Sequence, residues 1–215
     1  GFTQDTGSAI ISFAISNLSG TSENQFDTNT QVTAGLDPNV AENASFESLL
    51  FDAGDQATYQ WSSDVALENV EFRVNDFDGD GVVRVRAFDS DGNPIEVVLS
   101  DAGSDLATSD TDGVAGDDQA ASIDTDYNSD ADPSHSVLVT IPGPVSSWQV
   151  IHAQDGGNNT GVIFTDIAFD VASGAFSAGN DVIDSGDGND VIDGGFGDDE
   201  VRGGADNDTI IGSSG

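Results

Sequence analysis

The chain has 215 residues and a formal net charge of -36, with four Arg, no Lys and no Cys. Thirty-three of its forty acidic residues are Asp. So negative a chain excludes nucleic acid and anionic membrane as partners, since both require basic surface, and the lack of cysteine excludes a disulfide framework. No apolar run reaches the length of about 18 residues that a spanning helix needs, so no membrane insertion is expected. No basic segment followed by an apolar one stands at the N-terminus. A solvated helical surface would carry Glu and Lys, whereas Asp in loops suits oxygen ligation of hard cations.

From the N-terminus onward the pattern is strand and loop. Ile11, Phe13 and Ile15 alternate with Ser12, Ala14 and Ser16. Residues 46–51 have near-helical spacing but are too few to hold a helix. Ala57, Tyr59 and Trp61, then Val70, Phe72 and Val74, repeat the alternation and predict half-buried strands. Residues 82–88 and 95–99 flank Asp91-Gly92-Asn93-Pro94, a hairpin signal. Residues 100–132 form a long polar tract, and a structureless loop of that length is unusual in a compact domain, so something should tie it down. Strands are expected again over 136–141, 147–153 and 162–171. Many short strands separated by Gly, Asp and Pro turns predict an all-β fold. The expected class is an antiparallel β-sandwich of jelly-roll type over residues 1–173.

Several positions in this sandwich are candidates for chemistry. Asp76, Asp78 and Asp80 stand at positions one, three and five of a loop whose sixth residue is Gly81, as in the opening of an EF-hand-like calcium loop. Position twelve is Ala87 rather than Glu, so the reading stays open between a calcium loop completed from elsewhere and an Asp-Gly turn. Asp124, Asp126, Asn128 and Asp130 alternate within the long tract, either as calcium ligands or as a solvated acidic run. Tyr127, among those acids, is a candidate stacking platform for a sugar. Trp61 and Trp148 are candidates for the same work or for the core. Arg84 and Arg86 share a strand face and either contact an anionic ligand or pair with surface acids. His135 and His152 are the only imidazoles, and neither has the spacing of a nucleophile elbow or a zinc motif. No catalytic residues are assigned and the module is read as non-catalytic.

The C-terminal end is a repeat. Read in nines it runs FSAGNDVID, SGDGNDVID, GGFGDDEVR and GGADNDTII from Phe176 to Ile211. Asp fills the sixth position each time (Asp181, Asp190, Asp199, Asp208) and an aliphatic the eighth (Ile183, Ile192, Val201, Ile210). Residues rich in Gly, Asn and Asp favour turns, and the three that follow make a short strand. Two nonapeptides then complete one circuit of a coil. Carboxylates eighteen residues apart come side by side, where they repel unless a cation lies between them.

These repeats closely resemble the RTX calcium-binding repeat GGxGxDxUx. GGFGDDEV fits at every specified position, while Asp206 replaces a Gly in the last copy. The resemblance implies a short right-handed parallel β-roll over residues 174–215, with Ca²⁺ held by Asp carboxylates and loop carbonyls. It implies that Asp181 pairs with Asp199 and Asp190 with Asp208, and that the protein is secreted through a type I exporter to the exterior or cell surface. The chain is expected to be a fragment of a longer secreted protein. More loosely, VLVTIPGPVSSWQVIHAQDGGNNTGVIFTDIAFD resembles the last strands of a sandwich module of marine bacterial RTX proteins. The expected function is calcium-dependent binding of carbohydrate, as a polysaccharide or cell-surface glycan, in adhesion. A spacer or surface-layer piece with calcium as its only ligand is the alternative. A polysaccharide-active enzyme domain is a second, to be signalled by a cleft converging on His152 or Arg84.

Overall fold

The computed structural model describes residues 2–20, 22–43, 45–172, 182–193 and 200–211. The chain divides into two compact units, Gly1–Ala172 and Ser173–Gly215.

The first unit contains fourteen strands: β1 (Phe2–Asp5), β2 (Ile10–Ser19), β3 (Ser22–Asp27), β4 (Ser45–Leu50), β5 (Gln56–Asn75), β6 (Gly81–Phe88), β7 (Pro94–Ile95), β8 (Val98–Ser100), β9 (Leu106–Ser109), β10 (Gln119–Ser122), β11 (Val137–Ile141), β12 (Val145–Gln154), β13 (Thr160–Thr165) and β14 (Ala168–Val171). A 3₁₀ turn, Pro133–His135, precedes β11. Among the described residues every pairing in this unit is antiparallel.

β5 organises the unit because its two ends have different neighbours. Its first part pairs with β2 and β12, and β12 continues the sheet to β6, β10 and β9. Its last part pairs with β11 on one side and with β13 and β14 on the other, and β13 leads on to β4 and β3. The sequence accounts for the change of partners. Ala57, Tyr59 and Trp61 alternate into the core, as do Val70, Phe72 and Val74, while the stretch between is half-exposed and Asn69 takes a φ of 50°. Asn tolerates that left-handed backbone better than most residues.

The two groups of strands pack face to face. Tyr59 lies 5.3 Å from Phe164 and 5.3 Å from Phe46, and Trp61 lies 6.4 Å from Phe72, centroid to centroid. Aromatic pairs at such distances add about 0.5–1.5 kcal/mol each beyond the area they bury. The result is an antiparallel sandwich whose strand order does not specify the jelly-roll class.

Residues 46–50, despite their near-helical spacing, fall in strand β4, which pairs with β3 on one side and β13 on the other. The polar tract 100–132 is not structureless: it contains β9 and β10. It is tied down by backbone bonds from Gly103 N to Ser136 O (2.8 Å) and from Asp105 N to Ser134 O (3.2 Å), and by buried Asp118, which accepts from the Thr111 hydroxyl (2.7 Å).

The second unit carries β15 (Val182–Asp184), β16 (Val191–Asp193), β17 (Glu200–Arg202) and β18 (Thr209–Ile211). β15 pairs with β17 and β16 with β18, both parallel. Ile183 faces Val201 and Ile192 faces Ile210, so each residue meets the one eighteen places on. The nine-residue period is therefore half a circuit of a parallel β-roll.

Candidate metal sites and ligand cleft

In the roll, the turns are shaped by what fits between stacked coils. A Cβ on Gly204, whose φ is 92°, would lie 1.7 Å from the carbonyl oxygen of Gly186, eighteen residues earlier. Only glycine allows both that backbone and that contact. Asp206, standing where the pattern asks for Gly, takes the left-handed conformation itself with φ at 81°. These turns bring Asp190 and Asp208 together: Asp208 Oδ1 accepts from the Asp190 amide at 3.1 Å, and Asp190 Oδ2 is buried with no hydrogen-bond partner. An orphaned carboxylate oxygen beside a second carboxylate is costly in a folded chain, and a hard cation relieves both the desolvation and the repulsion. The donors are all oxygen, which suits Ca²⁺. Asp181 and Asp199 lie outside the described residues.

In the sandwich, the acidic loops that the sequence presents separately are stitched to one another. Asn128 N donates to Asp78 Oδ1 (3.1 Å), Gly79 N to Asp126 O (3.4 Å), and the Tyr127 hydroxyl to Asn159 O (3.0 Å). Asp80 turns the other way and its Oδ2 accepts from both Asn158 N (2.7 Å) and Asn158 Nδ2 (2.9 Å). In the EF-hand-like loop, Asp78 and Asp80 are thus bonded to different segments, at Asn128 and Asn158, while Asp76 is buried near Gly161. Burial raises the Asp78 pKa, against a lowering by the Asn128 amide, and Asp130 and Asp124 raise it further. Asp126 and Asp130 belong to the same loop, with Asp126 exposed and Asp130 half-buried.

Oxygen or nitrogen ligand atoms gather within 4.8 Å of one another at two places among the described residues of the sandwich: Asp105, Asp124 and His135, and Asp110, Asp112 and Asp118. The second group is already engaged by its own turn, with Asp110 accepting from Gly113 N and Asp118 from Thr111 N. The first contains a wholly buried imidazole. Sequence spacing could not find it, since its members come from three segments.

A cleft of about 760 Å³ has walls that include Phe2, Phe13, Phe26, Phe46, Trp61 and Phe164. The rings touch in a chain: Phe2 to Phe13 at 5.2 Å, Phe13 to Trp61 at 4.9 Å, Phe13 to Phe46 at 5.6 Å and Phe46 to Phe26 at 5.7 Å. Phe26 is 75% exposed and Phe2 49%, whereas Trp61 is 8% exposed on the floor. Asp37, Asn39, Asn43 and Asp166 add polar groups to the lining.

The ligand-binding expectations fare unevenly against this geometry. Trp148 also borders the cleft, but its side chain is fully buried and stacks on Trp61 at 5.9 Å, so it has no face to offer a sugar; it is a core residue. Arg84 is spent on Gln119 Oε1 (2.6 Å), and neither it nor the exposed Arg86 lines the cleft. Tyr127 is exposed, at the acidic loops and not in the cleft. His152 is fully buried between Ser48 Oγ (2.8 Å from Nδ1) and Thr160 Oγ1 (3.2 Å from Nε2), away from the cleft lining. What sequence reading missed is the phenylalanine set; the signal was Phe26, a large apolar residue isolated in the polar run Ser22–Asp27.

The RTX calcium-binding nonapeptide repeat family, HemolysinCabind, matches residues 177–201 and 194–215. The C-terminal repeats are RTX repeats. Ca²⁺ is the cofactor of this RTX unit, and the match leaves residues 1–176 outside it. No curated protein matches the chain in sequence. Among solved structures it is similar to the enzymatically active domain of tailspike protein 4 of bacteriophage CBA120, at 9% identity and a TM-score of 0.38 over 75% of this chain and 19% of that one. It is similar also to an exo-β-agarase, at 8% identity and a TM-score of 0.37 over 83% of this chain and 25% of that one. The chain spans a quarter or less of the length of each, and likeness at this level establishes nothing about what the sandwich does.

Proposed function

We propose that the chain is a secreted, calcium-loaded binding module: the sandwich takes carbohydrate into its aromatic cleft, and the RTX unit folds on Ca²⁺ with Asp190 and Asp208 as ligands, joined through the same repeat by Asp181 and Asp199. The observation that carries the sugar reading is the cleft. A pyranose offers apolar C–H faces and a rim of hydroxyls, and the ligand sites that suit such a molecule combine aromatic walls with a few polar groups that fix orientation. Phe26 and Phe2 supply exposed rings, and Asp37, Asn39, Asn43 and Asp166 supply acceptors and amides beside them.

Calcium acts first. In a calcium-poor cytosol the repeat carboxylates repel one another and keep the segment open for export. Outside, extracellular calcium modules bind with Kd of about 10⁻⁴–10⁻³ M, so millimolar Ca²⁺ folds the coil by mass action. Residues 164–169 line the cleft and run into β14, which ends two residues before the RTX unit.

A glycan array followed by calorimetry tests the reading. Polysaccharide binding should weaken at least about tenfold in Phe26→Ala, with no change in melting temperature because that ring is mostly in solvent, and should weaken again when EDTA removes the calcium. Absence of binding to every glycan with calcium present would leave a calcium-binding spacer as the better description.

A further inference from the structure

The sandwich holds a second cluster whose chemistry differs from that of the RTX coil. Backbone bonds stitch three segments together, Asp105 N to Ser134 O (3.2 Å) and Ile123 N to Asp105 O (3.0 Å), and a fourth joins them where Phe77 N donates to His135 O (3.3 Å). The 3₁₀ turn carrying His135 is capped by Asp132, whose Oδ1 accepts from Ser134 N at 2.9 Å. A Cβ on Gly103 would lie 2.1 Å from Ser134 O, so the chain entering Asp105 is pressed against that turn. The main chain thus brings Asp105, Asp124 and His135 together, and local bonds orient the two carboxylates: Asp124 Oδ1 accepts from Asp126 N (3.1 Å) and Asp105 Oδ1 from the Ser104 hydroxyl (3.2 Å).

At the meeting point the His135 ring is completely buried, and its Nε2 has no hydrogen-bond partner. The nearest carboxylate oxygens are Asp124 Oδ1 at 3.5 Å and Asp105 Oδ2 at 3.8 Å. Both are too long for the hydrogen bond of about 2.8 Å that an imidazole N–H would make to a carboxylate. They are close to the spacing of about 3.4 Å between two ligands bound at 2.0–2.1 Å to one tetrahedral ion. The far side of the ring is fixed as ligating imidazoles usually are: Nδ1 lies 2.9 Å from the side-chain amide of Asn128. With that amide turned over, its oxygen accepts from Nδ1–H and Nε2 keeps a free lone pair.

We propose that Asp105, Asp124 and His135 form a metal site for a borderline first-row divalent ion, Zn²⁺ foremost, with Asn128 as the residue that positions the imidazole. Ca²⁺ prefers six to eight oxygen ligands, whereas one imidazole nitrogen with two carboxylates is a donor set suited to zinc. The sequence reading put Asp124 and Asn128 among calcium ligands; here Asn128 turns to the ring and Asp124 to a different ion. The site stands independently of the sugar reading, since none of its residues lines the aromatic cleft.

With two histidines in the chain, imidazole NMR gives a clean test. Zn²⁺ is titrated into the full chain kept in millimolar Ca²⁺, so that the RTX carboxylates are already occupied. One equivalent should shift the His135 ring signals and leave those of buried His152 unmoved. His135→Asn and Asp105→Asn should each lower zinc affinity at least about 100-fold, since loss of an outer-shell partner alone costs 10–100-fold, while calcium binding is unchanged. Asp105 is only half-buried, so its variant keeps the test open if the histidine variant fails to fold. Zinc that leaves the His135 signals unshifted, or that millimolar Ca²⁺ displaces, would overturn the assignment.

Discussion

His152 illustrates how a residue that invites a catalytic reading turns out to have a structural one. The Ser48 hydroxyl donates to Nδ1 and Nε2–H donates to Thr160 Oγ1, so the neutral ring satisfies both nitrogens inside the core. Burial pushes its pKa down to about 3 from 6.5. The unfolded chain therefore takes up a proton that the folded chain refuses. The stability from this residue is complete above pH 6.5 and is lost as pH falls toward 3. Between pH 7 and pH 5 the loss is about 2 kcal/mol. Denaturant unfolding of the sandwich should show that slope, and His152→Gln should flatten it while lowering stability at pH 7. An equally steep slope in the variant would assign the pH dependence to the carboxylates instead.

Among the elements, the RTX coil was the most legible from sequence, because a nine-residue period with Asp and an aliphatic in fixed places specifies turn, strand and stacking interval together. The structure adds why the glycines fall where they do. Gly204→Ala should prevent close stacking and weaken calcium-induced strand formation at least about tenfold, since the added carbon meets the Gly186 carbonyl and the left-handed backbone costs an alanine about 1–2 kcal/mol. Asp206→Gly should leave it unchanged or slightly stronger, as the position already has a positive φ. Circular dichroism of the full chain across a calcium titration distinguishes the two, and equal behaviour would refute the stacking argument. The sandwich strands were legible where apolar and polar residues alternate, as in β6 and β12. β9 and β10 were hidden because their tract is polar and is held by main-chain bonds and by Asp118, which leave no hydrophobic period. The acidic loops were recognised as acidic, but not their meeting, since the partners of Asp78 and Asp80 lie some fifty and eighty residues away.

For the molecule as a whole the governing quantity is charge. A net -36 in a chain of this size makes the compact state repel itself, and any screening or site-bound cation shifts the balance toward folding. In EDTA the melting temperature should climb as NaCl is raised, because the Debye length falls from about 10 Å at 0.1 M to about 3 Å at 1 M. Ca²⁺ should raise it further than Mg²⁺ at matched ionic strength, since the coil offers specific oxygen ligands to the larger ion and Mg²⁺ gives up its water reluctantly. Calorimetry makes the comparison, and identical curves for the two ions would mean that calcium acts by screening alone.

β5 is shared by both layers of the sandwich, each half hydrogen-bonded to its own set of neighbours. Peeling either layer away breaks the strand that anchors the other, so the layers cannot open one at a time. Slow amide exchange should extend along the whole of β5 with a common free energy. A protease that cuts within β5 should therefore need both layers to open together, whereas one that cuts an exposed turn such as 110–113 need not wait for either.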